Sequence, residues 1–208
     1  MIDFVNIKNI IFDLGGVIVD INPQLSINLF NKMGINTSNE YYKLMQTEVF
    51  KNFEIGKINA SEFRKNIKKI SGKNFTDKEI DNSWNAMIGD FESERIKFIS
   101  NLRSRYNLFL LSNTNEIHEK YFNEKFFKQF NYDFANLFDK VYYSHHIGLR
   151  KPDKEVFFKV LYDSSINANE TIFIDDFEPN IISAKETGMH CHWLKPDEKL
   201  HIIFKNLL

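Results

Sequence analysis

Four segments of this sequence place charge-handling residues just after short apolar runs. "NIIFDLGGVIVD" delivers Asp13 into a turn made of Leu14, Gly15 and Gly16. "LLSNT" ends in Ser112 and Asn113, "GLRKPD" carries Lys151, and "FIDDFEPN" ends in Asp175 and Asp176. If the runs are strands of one sheet, their ends share one edge, which would gather three acids, a hydroxyl, an amide and an ammonium. Three close carboxylates repel one another and cannot all ionise stably alone. A hard cation with oxygen ligands removes the conflict, and Mg2+ takes one or two carboxylates together with water and substrate phosphate. Lys151 adds a second positive charge. Ser112 and backbone N–H groups can donate to phosphate oxygens. An acid beside a metal and a lysine can act as a nucleophile and form an aspartyl phosphate. The chemistry this set points to is Mg2+-assisted phosphoryl transfer.

The elements that must hold these groups can be read from the apolar pattern. Short β-like runs cover Ile7 to Phe12, Leu108 to Leu111, Val141 to Tyr143, Thr171 to Ile174 and Met189 to Leu194. Each is apolar enough to be buried on both faces. Helical patterns lie between them: Phe157, Val160 and Leu161 follow "KPD", and "EPNIISAKETG" stops at Gly188. Strand alternating with helix predicts an α/β fold with a parallel sheet and helices on both faces.

The segment from about Pro23 to Gly89 differs. It shows no strand pattern but three capping boxes: Thr37 with Glu40, Asn59 with Glu62, and Thr76 with Glu79. Phe63, Ile67 and Ile70 share a helical face, as do Ile80, Trp84, Met87 and Ile88. We expect about four helices inserted after the first strand, over the edge that carries the acids, where they could act as a lid. The expected division is a core of residues 1–19 and 90–208 and a helical cap of residues 20–89.

Composition narrows the classes. The chain has 208 residues, 43% hydrophobic and 26% charged, enough for a packed core. Its net charge of −1 offers no global field for nucleic acid or an anionic membrane, so neither partner is expected. The single cysteine, Cys191, excludes an internal disulfide and suits a cytoplasmic protein. Ile10 to Ile21 is broken by Asp13, Gly15, Gly16 and Asp20, so it reads as neither a signal peptide nor a membrane span. No apolar interface segment stands apart from the core, and a monomer is expected.

At the four motifs the chain resembles the haloacid dehalogenase-like (HAD) hydrolase superfamily, of the subfamily IA type with a helical C1 cap. The resemblance spans nearly the whole chain. It implies a Rossmann-like sheet of order 5-4-1-2-3, with the Asp13 strand beside the Asp175–Asp176 strand. It implies Asp13 as nucleophile and metal ligand. Ser112 and the Asn113 backbone would hold the phosphoryl group, and Lys151 would stabilise it and orient Asp13. Asp176 would be the main motif-four acid on Mg2+, with Asp175 assisting, Asn180 in support and the Gly15 carbonyl completing the ligands. Phosphatases of the superfamily usually carry a second Asp two positions after the nucleophile, to protonate the leaving group and activate water. Gly15 stands there instead, a loss worth ~10²–10⁴-fold in rate where the leaving group needs a proton.

The expected function is Mg2+-dependent hydrolysis of a small phosphorylated metabolite, such as a sugar phosphate. The alternative is a module that binds a phosphorylated ligand with negligible turnover, Gly15 being the reason. A metal-free haloacid dehalogenase would not benefit from the Asp175–Asp176 pair, and nothing singles out Lys57 or Lys65 as a phosphonatase Schiff-base lysine. Within "FEIGK", Glu54 and Lys57 are candidates to face substrate. Arg150 and Asp20 read as solvated, and Trp84 as cap core. His145 and His146 read as pointing opposite ways on an extended segment.

Overall fold

The computed structural model describes residues 6–35, 47–196 and 198–204. The first strand, β1 (Asn9–Phe12), leads into a two-stranded antiparallel sheet of β2 (Val19–Ile21) and β3 (Ile88–Phe91). Between β2 and β3 stand four described helices: α1 (Pro23–Lys32), α2 (Glu48–Glu54), α3 (Ala60–Ser71) and α4 (Asp77–Asn85). After β3 the chain alternates: α5 (Ser93–Leu102), β4 (Asn107–Ser112), α6 (Glu116–Phe130), β5 (Lys140–Tyr143), the short α7 (Ser144–Ile147), α8 (Lys154–Asp163), β6 (Thr171–Asp175), α9 (Glu178–Lys185), β7 (His190–Trp193) and α10 (Leu200–Ile203).

The main sheet is parallel, with the order β5-β4-β1-β6-β7. This is the expected 5-4-1-2-3 order read from the other edge. Side chains alternate across it as the period of two requires. Ile10 and Phe12 of β1, Leu108 and Leu110 of β4, and Ile172 and Ile174 of β6 enter one apolar cluster. Ile11, Phe109, Leu111 and Phe173 enter the other. Helices α5 and α6 cover the first face through Ile96, Ile99, Leu102, Ile117, Phe122 and Phe126. Helices α8 and α9 cover the second through Val156, Phe157, Val160, Ile181 and Ala184. Chain direction around the sheet reverses on either side of β1, so the switch point lies at the end of β1, where Asp13 stands.

The inserted helices form an all-helical cap with an aromatic core. Phe53 stacks on Phe63 at 4.3 Å, and Phe50 meets Phe63 and Trp84 edge-on at 5.3 and 5.2 Å. The capping boxes at Asn59–Glu62 and Thr76–Glu79 both form, while the one expected at Thr37–Glu40 lies outside the described residues. A paired Arg64–Asp81 contact, 2.8 Å in both arms, ties α3 to α4.

Two details depart from the sequence reading. Met87 and Ile88 leave the helical face of Ile80 and Trp84, because α4 ends at Asn85 and Ile88 begins β3. "IGDF" was unreadable as a strand, since its Gly and Asp break the apolar alternation. Gly89 is required there, because a Cβ would meet the Asp20 carbonyl at 2.7 Å across the β2–β3 pair. Ile70 shares the face of Phe63 and Ile67 but is 53% exposed, since it lies in the last turn of α3 beyond the packed core.

Phe63 is fully buried at the centre of the aromatic cluster. Phe63→Ala is expected to lower stability by about 3–5 kcal/mol, measured as a lower midpoint in urea unfolding.

Candidate active site

The sheet order puts three acids and the lysine together. Asp13 follows β1, and its N–H donates to the Ile174 carbonyl of β6 at 2.9 Å, which locks the two strand ends in step. Lys151 reaches in from the segment before α8. Its Nζ donates to Asp13 Oδ1 and to Asp175 Oδ2, each at 2.6 Å. The ammonium is almost wholly buried, with a side-chain exposure of 2%. One carboxylate oxygen each from Asp13, Asp175 and Asp176 lies within 4.8 Å of the others.

Each charged group has its own scaffold. The Asn113 side chain clamps the Lys151 backbone: Nδ2 donates to its carbonyl at 2.8 Å, and Oδ1 accepts from its N–H at 2.9 Å. Asp175 accepts from the Phe177 N–H at 2.8 Å and from Asn180 Nδ2 at 3.1 and 3.0 Å, besides Lys151. It therefore fixes the turn that leads into α9 and joins the charge cluster together. Its oxygens are largely committed to protein donors, whereas Asp176 is exposed on the open side. Trp193 Nε1 holds the Asp176 backbone carbonyl at 2.9 Å. Gly16 answers to the same crowding: it has φ +73°, and a Cβ there would collide with the Asp176 carboxylate.

The electrostatics are those of an unbalanced cluster. Burial, assisted by Asp175 and Asp176, pushes the Asp13 carboxyl up to about 7 despite Lys151. Although Asp176 reaches solvent on one side, desolvation of its carboxyl within the cluster and the Asp175 charge push it up to about 6, again against Lys151. Burial works against the Lys151 charge, but Asp13 and Asp175 overcome it and hold the ammonium above its ordinary pKa. One ammonium does not neutralise three acids. Convergent carboxylate oxygens, those of Asp13 and Asp176 with raised pKa values, opening on one side to solvent, fit a hard divalent cation.

These groups stand in a cavity of about 490 Å³. Asp13, Gly15, Ser112, Asn113, Lys151 and Asp176 line it, and Asn180 does too; the fully buried Asp175 does not. Val19 and Ile21 of β2, together with Glu54, Trp84, Met87 and Ile88 from the cap side, form the opposite wall. A larger depression of about 900 Å³ runs past Arg95 and His201 and contains none of the three acids. Gly15 faces Ile21: a Cβ on Gly15 would meet the Ile21 side chain at 3.2 Å. An apolar group thus packs where a second acid's side chain would begin.

Some residues take places that the sequence did not announce. Arg150 is not solvated. Its side chain is 18% exposed, its Nε lies 2.9 Å from Glu54 Oε2, and both residues line the cavity. Glu54 Oε2 and Arg150 Nη1 are buried without an aligned hydrogen bond. Lys57, the other candidate of "FEIGK", is exposed and lies outside the cavity wall. Trp84 belongs to the cap core and also stacks on His118 at 4.5 Å, and both line the cavity. His118 is bonded to Asn115 and to the Trp84 carbonyl, and burial pushes its pKa down to about 4, so its ring is neutral near pH 7. Asp20 sits in β2, paired with Arg95 at 2.8 Å. Periodicity and motif spacing carried no signal for the Glu54–Arg150 pair, whose members come from distant parts of the chain.

The family model for haloacid dehalogenase-like hydrolases matches residues 10–194. The chain belongs to that family. A D-ribitol-5-phosphate phosphatase from Bacteroides thetaiotaomicron is 35% identical over 183 residues, covering 88% of this chain and 89% of the relative. A HAD family enzyme from the same organism, solved in complex with magnesium and inorganic phosphate, has a TM-score of 0.88 at 35% identity and covers 95% of this chain and 99% of its own. A HAD-like hydrolase from Porphyromonas gingivalis has a TM-score of 0.87 at 30% identity, with 98% of each chain covered.

The raised carboxyls link stability to pH. The folded Asp13 keeps its proton up to about 7, whereas its ordinary value is 3.8, so between these values the folded state binds more protons than the unfolded one. Without metal this contribution makes stability fall as pH rises through that window. A cation that binds the ionised cluster must reverse it. Thermal melts at pH 5 and pH 7.5 are expected to show a larger rise in Tm on adding Mg2+ at the higher pH.

Proposed function

We propose that the chain is a Mg2+-dependent phosphatase acting on a small phosphate monoester, with a polyol or sugar phosphate as the substrate class. The observation that carries this reading is the cluster of Asp13, Asp175 and Asp176 around the buried Lys151 at the switch point, beneath a helical cap. The curated relative supports the polyol phosphate, and the magnesium and phosphate complex of the related enzyme supports the cofactor. In this reading residues 20–89 are the cap, and residues 1–19 and 90–208 are the core.

Asp13 attacks the phosphorus. A bond forms between its carboxylate oxygen and phosphorus while the ester P–O bond breaks, leaving an aspartyl phosphate and an alkoxide that takes up a proton. Water then attacks the phosphorus of the acyl phosphate, the bond from phosphorus to the Asp13 oxygen breaks, and inorganic phosphate leaves with the Asp13 carboxylate restored. Lys151 fixes Asp13 Oδ1, which leaves the other oxygen for attack. Ser112 and the Asn113 backbone N–H hold the phosphoryl oxygens, and the Asn113 side chain sets Lys151 in place. Asp13, Asp175 and Asp176, with the Gly15 carbonyl, would hold Mg2+, which supplies positive charge against the phosphoryl group. The buried, poorly satisfied Glu54 and Arg150 accept and donate to hydroxyls of the substrate chain, while Trp84, Met87 and Ile21 pack its carbon side.

A second reading, ligand binding with negligible turnover, rests on Gly15 and on Ile21 standing against it. One assay separates the two. Hydrolysis of p-nitrophenyl phosphate needs little help from an acid, so it is expected with Mg2+, to be lost in EDTA, and to fall at least about 10⁴-fold in Asp13→Asn. No turnover above that variant would favour the binding module.

The substrate assignment has its own test. Glu54→Gln is expected to raise KM for D-ribitol 5-phosphate about 10-fold or more. The effect on p-nitrophenyl phosphate, which has no hydroxyl chain, should be smaller.

A further inference from the structure

A second group of metal-ligating side chains lies outside the acid cluster. Glu119 projects from α6, and His145 and His146 from α7. Adjacent residues on an extended strand would point apart. Here they lie on a helical turn, about 100° from one another, and both rings turn toward one carboxylate. Nε2 of each stands 2.9 Å from Glu119 Oε2. The two rings are 4.2 Å apart between centroids. None of the three residues lines the cavity that holds Asp13.

From this convergence we propose a second cation site, formed by Glu119 Oε, His145 Nε2 and His146 Nε2, that takes a borderline transition-metal ion of the Zn2+ class. Two imidazoles and one carboxylate prefer such ions, whereas Mg2+ prefers oxygen alone. Zinc bonds of ~2.0–2.2 Å in a tetrahedron place ligand atoms about 3.3 Å apart. The three donors already lie within 4.8 Å of one another, and the two nitrogen–oxygen distances need to open by only a few tenths of an ångström. His146 is 55% exposed, so its ring is free to make that shift. Its open side also leaves a fourth position for water.

The scaffold fixes the turn that carries the two histidines. Tyr143 lies nearly parallel to the His145 ring at 6.1 Å and edge-on to His146 at 5.4 Å. Ser144 Oγ accepts from the Thr114 N–H at 2.9 Å and lies 2.6 Å from the Glu54 carbonyl. The cap loop presses on the same turn, because a Cβ on Gly56 would collide with the His145 carbonyl. Ligands fixed by rigid neighbours lose little entropy on binding an ion. The alternative is a fork of two hydrogen bonds onto one carboxylate, which has no affinity for metal.

The test uses the full chain, stripped with EDTA, dialysed and saturated with Mg2+ to fill the acid cluster. Co2+ is titrated in and its visible d–d absorption recorded, since four-coordinate nitrogen-ligated Co2+ absorbs far more strongly than six-coordinate Co2+ in oxygen ligands. A strong band that Zn2+ abolishes, retained in Asp13→Asn and weakened at least about 100-fold in Co2+ affinity in His146→Ala, is the expected result. His146→Ala should keep its Mg2+-dependent p-nitrophenyl phosphate hydrolysis, which separates this site from the catalytic reading. No band in the wild type, or an equal band in His146→Ala, would overturn the proposal.

Discussion

The buried Lys151 ammonium between Asp13 and Asp175 is the contact around which the rest of the site is arranged. A charge so deeply buried costs several kcal/mol of hydration and persists only with close, well-oriented partners. Two carboxylate oxygens at 2.6 Å supply them. Asp176 then adds a third acid that Lys151 does not balance. The cluster is short of positive charge, and the raised Asp13 and Asp176 carboxyls express that deficit. In the proposed phosphatase such a cluster would bind a divalent cation and a dianionic phosphoryl group together more readily than either alone, because each offsets the other.

That contact constrains the sheet. Asp13 and Asp175 meet only because β1 and β6 are neighbours in register, Phe12 beside Ile174. Lys151 meets them only because Asn113, at the end of β4, holds its backbone from the other side. Asn180, one turn into α9, orients Asp175 in turn. Four strand or helix ends therefore share one network, and displacing one of them strains the rest. The motifs are short because each supplies one or two groups to a point that tertiary structure defines.

This explains what the sequence could and could not reveal. Strand ends were legible because buried parallel strands are continuous apolar runs, and a carboxylate or lysine at such an end is conspicuous. Two of the capping boxes were legible because the reciprocal bonds are local. The β3 strand was not, since Gly89 and Asp90 interrupt its apolar run and it owes its form to β2. Arg150 looked solvated because its partner Glu54 lies in the cap, and no periodicity joins the two. The histidines were misplaced because a four-residue helix leaves no pattern to read. In each case the missing information was a contact between distant segments rather than a local preference.

The two glycines after Asp13 have separate causes. Gly16 is structural, since its left-handed backbone and the neighbouring Asp176 leave no room for a side chain. Gly15 is different. Its Cβ position is tight against Ile21 but has no positive φ, so an aspartate there is opposed by a movable side chain rather than by the backbone. Absence of the second acid is therefore not imposed by the fold. It leaves an apolar wall of Ile21, Val19 and Met87 near the reacting end of the cavity and moves the polar groups to Glu54 and Arg150. A carboxyl at position 15 would add a fourth acid to a cluster already short of positive charge. Leaving it out eases the burden on Lys151, and in the proposed reaction the proton for the departing oxygen would come from water or from the substrate's own hydroxyls. In the proposed phosphatase, the arrangement that withholds a second acid also spares the anion site a further negative charge.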